Sequence, residues 1–170
     1  DMAAALISGK MWFKVPETIK IVYNGKLQKG VYSKDVALHM VGTLTANGAT
    51  YKALELYGDV IDALSVDARM TISNLAVETG AKVGLMACDD KTIAYMADKT
   101  DLPYRPTYAT MDAKYERVIV EDLSEMGPQI ACPPDVDNVV PIEKVLGLEI
   151  DQVYIGTCTN GRYEDLEIAA

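Results

Sequence analysis

The stretch richest in chemistry is Ile155 to Asp165, which reads Ile-Gly-Thr-Cys-Thr-Asn-Gly-Arg-Tyr-Glu-Asp. The apolar run Val153–Gly156 predicts a strand entering this turn, and Tyr163 onward predicts a helix leaving it. Ligands of open α/β sheets sit beyond the carboxyl ends of strands, where helix N-termini offer N–H groups to anions. A thiolate at Cys158 would be stabilised there, as a metal or cluster ligand or as a nucleophile. A small apolar cysteine filling a tight turn accounts for the same residues equally well. One cysteine holds no metal by itself. Cys88 and Cys132 stand singly at separate strand ends with no Cys-x-x-Cys, so no zinc site is expected from this chain.

A second constellation lies on the predicted helix Asp67–Thr79. Ala68, Ile72, Leu75, Ala76 and Thr79 recur at helical spacing as one largely apolar stripe. Asp67, Thr71, Asn74 and Glu78 form a polar row beside it. That row either faces solvent or lines a cleft, where the Asn74 amide and the Glu78 carboxylate would reach together toward a water or substrate. His39, the only histidine, sits mid-helix among Val36, Leu38, Met40 and Val41, which fits a core-edge side chain better than a catalytic base. Glycines 42, 48, 58, 80 and 84 punctuate turns, and no phosphate-binding glycine pattern occurs.

The elements that must position these residues alternate. An Ala-rich helix over 1–9 is closed by Gly9, and an extended link follows through Trp12–Glu17. Ile19–Tyr23 predicts a strand ending at Asn24-Gly25, with Val31-Tyr32 returning beside it. Ser33 is the expected N-cap of a helix through Thr45. Strands are expected at Ala53–Tyr57, Val83–Met86 and Arg117–Val120, a helix from Asp89-Asp90 to Ala97, and a loop over 98–115. Gln129–Cys132 is a short strand, and Asp137–Ile142 is loop or edge. Strands alternating with helices predict one three-layer α/β/α domain over residues 1–170, with no strand order readable.

The 170 residues suit a single domain, and 49% hydrophobic with 24% charged residues is an ordinary globular mix. Sixteen Lys+Arg against 25 Asp+Glu give a net charge of -9, which argues against nucleic-acid and anionic-membrane surfaces. No apolar run reaches the ~18–20 residues of a spanning helix. Three widely spaced cysteines make no disulfide framework, so a reducing, cytoplasmic setting is expected. Asp1–Leu6 lacks the basic start of a signal peptide, and both ends read as cut from a longer chain.

The turn TCTNGRYEDL (157–166) resembles the first cluster-cysteine motif of the aconitase superfamily. Four further stretches agree in order: DMAAALISGKMWFKVPETIKI (1–21), GVYSKDVALHMVG (30–42), GATYKALELYGD (48–59) and RMTISNLAVETGAKVGLMACDDKT (69–92). The WFKVPETI form is similar to the large subunits of 3-isopropylmalate dehydratases and homoaconitases rather than to single-chain aconitases. The resemblance implies a hydro-lyase that isomerises a hydroxy-acid by removing and re-adding water, here 3-isopropylmalate in leucine synthesis. It implies a 4Fe-4S cluster with three Cys ligands and one open, Lewis-acidic iron. Cys158 matches the first cluster ligand. Asn74 and Glu78 match the active-site pair, Glu78 hydrogen-bonding the water at the iron and Asn74 orienting substrate or cluster. Asn160 matches a supporting position beside the ligand.

The same resemblance places the other two ligands in a downstream C-x-x-C, a D-S-H motif upstream, substrate-gripping arginines further on, and a serine base on a separate small subunit. None of these lies in the 170 residues. The expectation is therefore a segment of a large subunit, working with a small subunit in a heterodimer or heterotetramer on a hydroxy-dicarboxylate, and holding no intact cluster alone. Homoaconitase or citramalate isomerase is the near alternative. A domain that kept the fold without catalysis is the alternative of another class.

Overall fold

The computed structural model describes residues 2–157 and 159–170. A short helix, α1 (Met2–Ser8), buries none of its side chains. Alternation in β1 (Thr18–Asn24) sends Ile19, Ile21 and Tyr23 to one face, where none is more than 1% exposed. Helix α2 (Ser33–Leu44) follows, then β2 (Ala53–Tyr57), α3 (Asp59–Ala63) and α4 (Val66–Leu75). A 3-10 turn, Ala76–Thr79, ends α4, and Gly80 closes it in the left-handed region. The chain continues through β3 (Val83–Met86), α5 (Asp90–Ala97), β4 (Arg117–Asp122), the β5 (Gln129–Ala131) and β6 (Val139–Pro141) hairpin, and α6 (Tyr163–Ala169).

β1 to β4 form one all-parallel sheet in the order β3-β2-β1-β4. The register sets Ile19 beside Leu54, and Ile21 between Leu56 and Ile119. Those side chains meet Val36, Ala37, Met40 and Val41 of α2, Val60 and Ile61 of α3, and Ile72 and Leu75 of α4 in one core. Two glycines set close approaches around the sheet. At Gly84, in β3, an added Cβ would lie 3.0 Å from the Ala76 Cβ, so α4 and its 3-10 turn can press onto the sheet. At Gly58 φ is +102°, and a Cβ would meet the Tyr23 carbonyl oxygen at 2.3 Å.

The expected α/β class holds: a parallel sheet is flanked by helices. Among the described residues the helical layer lies on the Ile19–Tyr23 face. On the opposite face Val83, Leu85, Val118 and Val120 are 37–62% exposed. Lys20 lies there over the rings of Tyr57 and Tyr115, whose hydroxyls both donate to the Glu55 carboxylate.

Several local expectations need correction. Val31-Tyr32 forms no returning strand, and Tyr32 rather than Ser33 takes the N-cap position of α2. The reason is Asp35: its carboxylate accepts from the Tyr32 N–H at 2.7 Å and from the Gln129 N–H at 2.7 Å, so the hairpin is tied to the same helix start. Val153–Gly156 forms no strand, and Val153, Tyr154 and Ile155 are 58–79% exposed. Apolar composition signals burial, but a strand also needs a ladder partner, and this segment has none. Within Asp137–Ile142, expected as loop or edge, Val139–Pro141 forms the short strand β6 against β5, in keeping with that expectation. Helix α3 was not foreseen, because the expected end of β2 at Gly58-Asp59 hid a helix start.

Candidate functional site

Helix α4 is built as a rigid mount. Ser65 caps it, accepting the Ala68 N–H at 3.0 Å. Arg69, 6% exposed, reaches back from it to the carbonyls of Ile61 and Asp62 and forward to the Asp89 carboxylate at 2.6 Å. Asp89 in turn caps α5 through the Thr92 N–H. The Arg69 hydrogen bond holds the Asp89 carboxyl well below the usual carboxylate range; burial opposes this and Thr92 adds to it. One buried guanidinium thus joins α3, α4 and α5.

Asp67, Thr71 and Asn74 of the polar row face the cysteine-motif turn, with Asn74 still open to solvent on one side. The Thr159 hydroxyl donates to Asn74 Oδ1 at 2.8 Å. The Thr71 hydroxyl, fully buried, donates to the Thr159 carbonyl at 3.2 Å. Arg162 Nη1 donates to the same carbonyl at 2.9 Å and lies 3.4 Å from Thr71 Oγ1, while its Nε stands 3.6 Å from Asp67 Oδ1. The Ser65 hydroxyl meets both oxygens of Glu164 at 2.8 Å. Apart from Glu78, each member of the row foreseen from spacing has a partner on the turn.

The turn also closes on itself. Gly156 has φ +117°, and a Cβ at Gly161 would lie 3.0 Å from the Gly156 Cα and 3.1 Å from the Thr157 nitrogen and carbonyl oxygen. The Thr159 N–H donates to the Thr157 hydroxyl at 3.3 Å. Cys158, the cluster ligand expected from the motif, lies outside the described residues. Asn160 is partly buried within the turn.

Glu78 departs from the expected arrangement. Residues 76–79 form a 3-10 turn with about three residues per turn instead of about 3.6, so Glu78 is rotated away from the line of Asn74. It is exposed and near Lys34 of α2. Burial lowers the Lys34 ammonium below the usual lysine range, and the Glu78 charge partly offsets this. Sequence reasoning missed Lys34, which no spacing rule links to residue 78. It also missed Arg162, although a cation two residues past Asn160 and opposite an Asp67-bearing row was a readable signal.

The remaining candidates lie elsewhere. His39 Nε2 meets Glu121 Oε2 at 2.9 Å and stands edge-on to the Tyr23 ring, which fits its expected place at the core edge. Cys88 follows β3 beside Tyr108, and Cys132 follows β5, donating its N–H to the Asn138 carbonyl. Among the described residues no group of three or more His, Cys, Asp or Glu could hold a metal ion. The motif thiol is the one cluster donor that the sequence offers beside this turn, and its own placement is not among the described residues. No helix among the described residues is long and apolar enough to cross a membrane.

The sequence profile of the aconitase family (aconitate hydratase) matches residues 1–149. A probable methanogen homoaconitase large subunit of Methanosarcina mazei is 49% identical over 170 residues, covering 100% of this chain and 44% of that protein. A 3-isopropylmalate dehydratase large subunit 1 of Methanopyrus kandleri is 48% identical, with 100% and 41% covered. A 3-isopropylmalate dehydratase large subunit of Halothermothrix orenii is 49% identical, with 100% and 40% covered. The chain spans 40–44% of the length of these relatives.

Proposed function

The chain belongs to the aconitase family, and from that premise we propose that it is a segment of the large subunit of a 3-isopropylmalate dehydratase. The complete enzyme would be a cytoplasmic hydro-lyase that interconverts 3- and 2-isopropylmalate by dehydration and rehydration in leucine synthesis, paired with a small subunit. The observation that carries this reading is the 2.8 Å bond between Asn74 and Thr159. It brings α4, which bears Asn74 of the N-x-x-x-E pair, against the turn bearing the cysteine motif, from positions 85 apart in the chain.

When bound in the complete enzyme, a 4Fe-4S cluster supplies Lewis acidity toward the hydroxyl and carboxylate of the substrate. Cys158 would be one of its three thiolate ligands, and the other two would come from the rest of the subunit. Asn74 would orient substrate or cluster with its amide, and Glu78, off the Asn74 line in the 3-10 turn after α4, would hydrogen-bond the water that leaves and returns. Asn160 supports the ligand position. On this reading the 170 residues by themselves would hold no intact cluster and would be inactive.

The test is the complete two-subunit enzyme with Cys158→Ser, assayed on isopropylmalate, citramalate and homocitrate in parallel, with iron and sulfide analysis alongside. The expected result is loss of cluster and of hydration activity, with isopropylmalate the preferred substrate of the unaltered enzyme. Unchanged iron content and activity would overturn the assignment. Preference for homocitrate would transfer it to the homoaconitases.

A further inference from the structure

The turn around position 158 is fastened to the body of the chain by very few groups. Val145 ends the last regular element before it, and residues 146–157 form neither helix nor strand. Nothing from a sheet ladder fixes the turn. Beside the Thr159 hydroxyl bond to Asn74 and the contacts of Arg162 with Asp67 and of Glu164 with Ser65, the backbone of the turn is held at the Thr159 carbonyl, which receives both the Thr71 hydroxyl and the Arg162 guanidinium. Thr71 is the unusual member, a polar side chain on α4 that is 0% exposed. Its oxygen is 3.4 Å from the Asp67 carbonyl of its own helix, 3.2 Å from the Thr159 carbonyl and 3.4 Å from Arg162 Nη1. A threonine hydroxyl has one proton, so donating to Thr159 leaves its lone pairs for the guanidinium. A valine of the same shape could fill the space but could do neither.

We propose that Thr71 and Arg162 are positioning residues: they clamp the Thr159 carbonyl to helix α4, and so hold the cysteine-bearing turn at a fixed place relative to Asn74. This rests on the reading of the turn as a cluster-ligand motif. Neither residue touches substrate or cluster in this role. Arg162 closes the turn by bonding the carbonyl three residues before it, and the Asp67 carboxylate keeps the guanidinium on the α4 side. Thr71 supplies the contact that crosses to the helix. Together they restrict the motif backbone before any ligand binds, which lowers the ordering cost of ligation.

The experiment uses the complete enzyme with Thr71→Val, Thr71→Ser and Arg162→Gln. Three quantities are read: the rate at which visible cluster absorbance is lost to an iron chelator, hydrogen exchange of the peptide spanning 157–162 in the apoprotein, and the melting temperature. Thr71→Val and Arg162→Gln are expected to release the cluster about tenfold faster, the factor that corresponds to one lost hydrogen bond. They are also expected to speed exchange of the turn peptide while leaving the melting temperature within a few degrees. Thr71→Ser, which keeps the hydroxyl, is expected to restore the unaltered rates. Cluster release and exchange at unaltered rates in both variants would overturn the proposal, as would a serine variant that behaves like valine. Should Thr71→Val fail to fold, Arg162→Gln, at a partly exposed side chain, decides alone. If the unaltered enzyme binds no cluster, the functional reading fails, and the apoprotein exchange rates still decide whether these residues hold the turn.

Discussion

Replacing Asp89 by asparagine isolates the charge that anchors α4. The substitution keeps size and leaves one oxygen to cap α5 at the Thr92 N–H, so the perturbation falls on the bond to Arg69. The Arg69 side chain is 7% exposed and would be left with only the Ile61 and Asp62 carbonyls. Removing one partner of a fully buried ion pair costs about 3–5 kcal/mol. The Asp89 side chain is 36% exposed, so water takes over part of its role and the cost falls to about 2 kcal/mol. The pH dependence has a definite sign. A carboxyl whose folded pKa is depressed contributes stability that is complete above its unfolded pKa and is lost as pH falls toward the folded value. The gap between the unaltered chain and Asp89→Asn should therefore be constant from about pH 5 to 8 and shrink below about pH 4. Urea denaturation at fixed pH values, with unchanged m, measures the gap. A difference under about 0.5 kcal/mol at pH 7, or one that stays constant down to pH 3, would refute the view that this pair anchors the helix.

Two further substitutions probe the mount. Gly58→Ala should cost about 2 kcal/mol or more, because it forces a side chain into a positive-φ position against the Tyr23 carbonyl, and a denaturation midpoint within error of the unaltered chain would contradict the geometry. Ile72→Ala removes a side chain that is 0% exposed beneath the polar row and should cost about 2–5 kcal/mol, read by the same titration; a loss under about 1 kcal/mol would mean that α4 is not seated on the core as described.

The legible parts of this fold were those with local physical causes. β1 announced itself by alternation of β-branched and aromatic residues, and α5 by an aspartate in front of a helical run. β2 and β3 were likewise readable in place and extent. Their order was not, because a parallel neighbour is chosen by a crossover and leaves no mark in the strand itself. The placement of β4 beside β1 rather than β3 is the clearest case. Val153–Gly156 misled in the opposite way, since its composition describes a strand but no ladder receives it. At the site, the spacing of Asp67, Thr71 and Asn74 was legible as a row and its partner was not: that lies beyond a whole sheet's worth of intervening chain. Glu78 was placed by helical periodicity that stops at Leu75, where the final turn tightens as the helix presses onto Gly84. The importance of Asn74 and Glu78 came from family resemblance, and spacing alone left it open.

The seam between α4 and the turn has a consequence for synthesis. A ribosome adds roughly 5–20 residues per second, so roughly 4–17 seconds separate the emergence of position 74 from that of position 159. Throughout that interval the face that will receive the turn is wet. Had it been greasy, the nascent chain would have carried an adhesive patch with nothing to satisfy it. Aspartate, threonine and asparagine let the helix wait in water and still grip its latecomer, which explains why this joint is made of hydrogen bonds while the rest of the helix is seated in hydrocarbon.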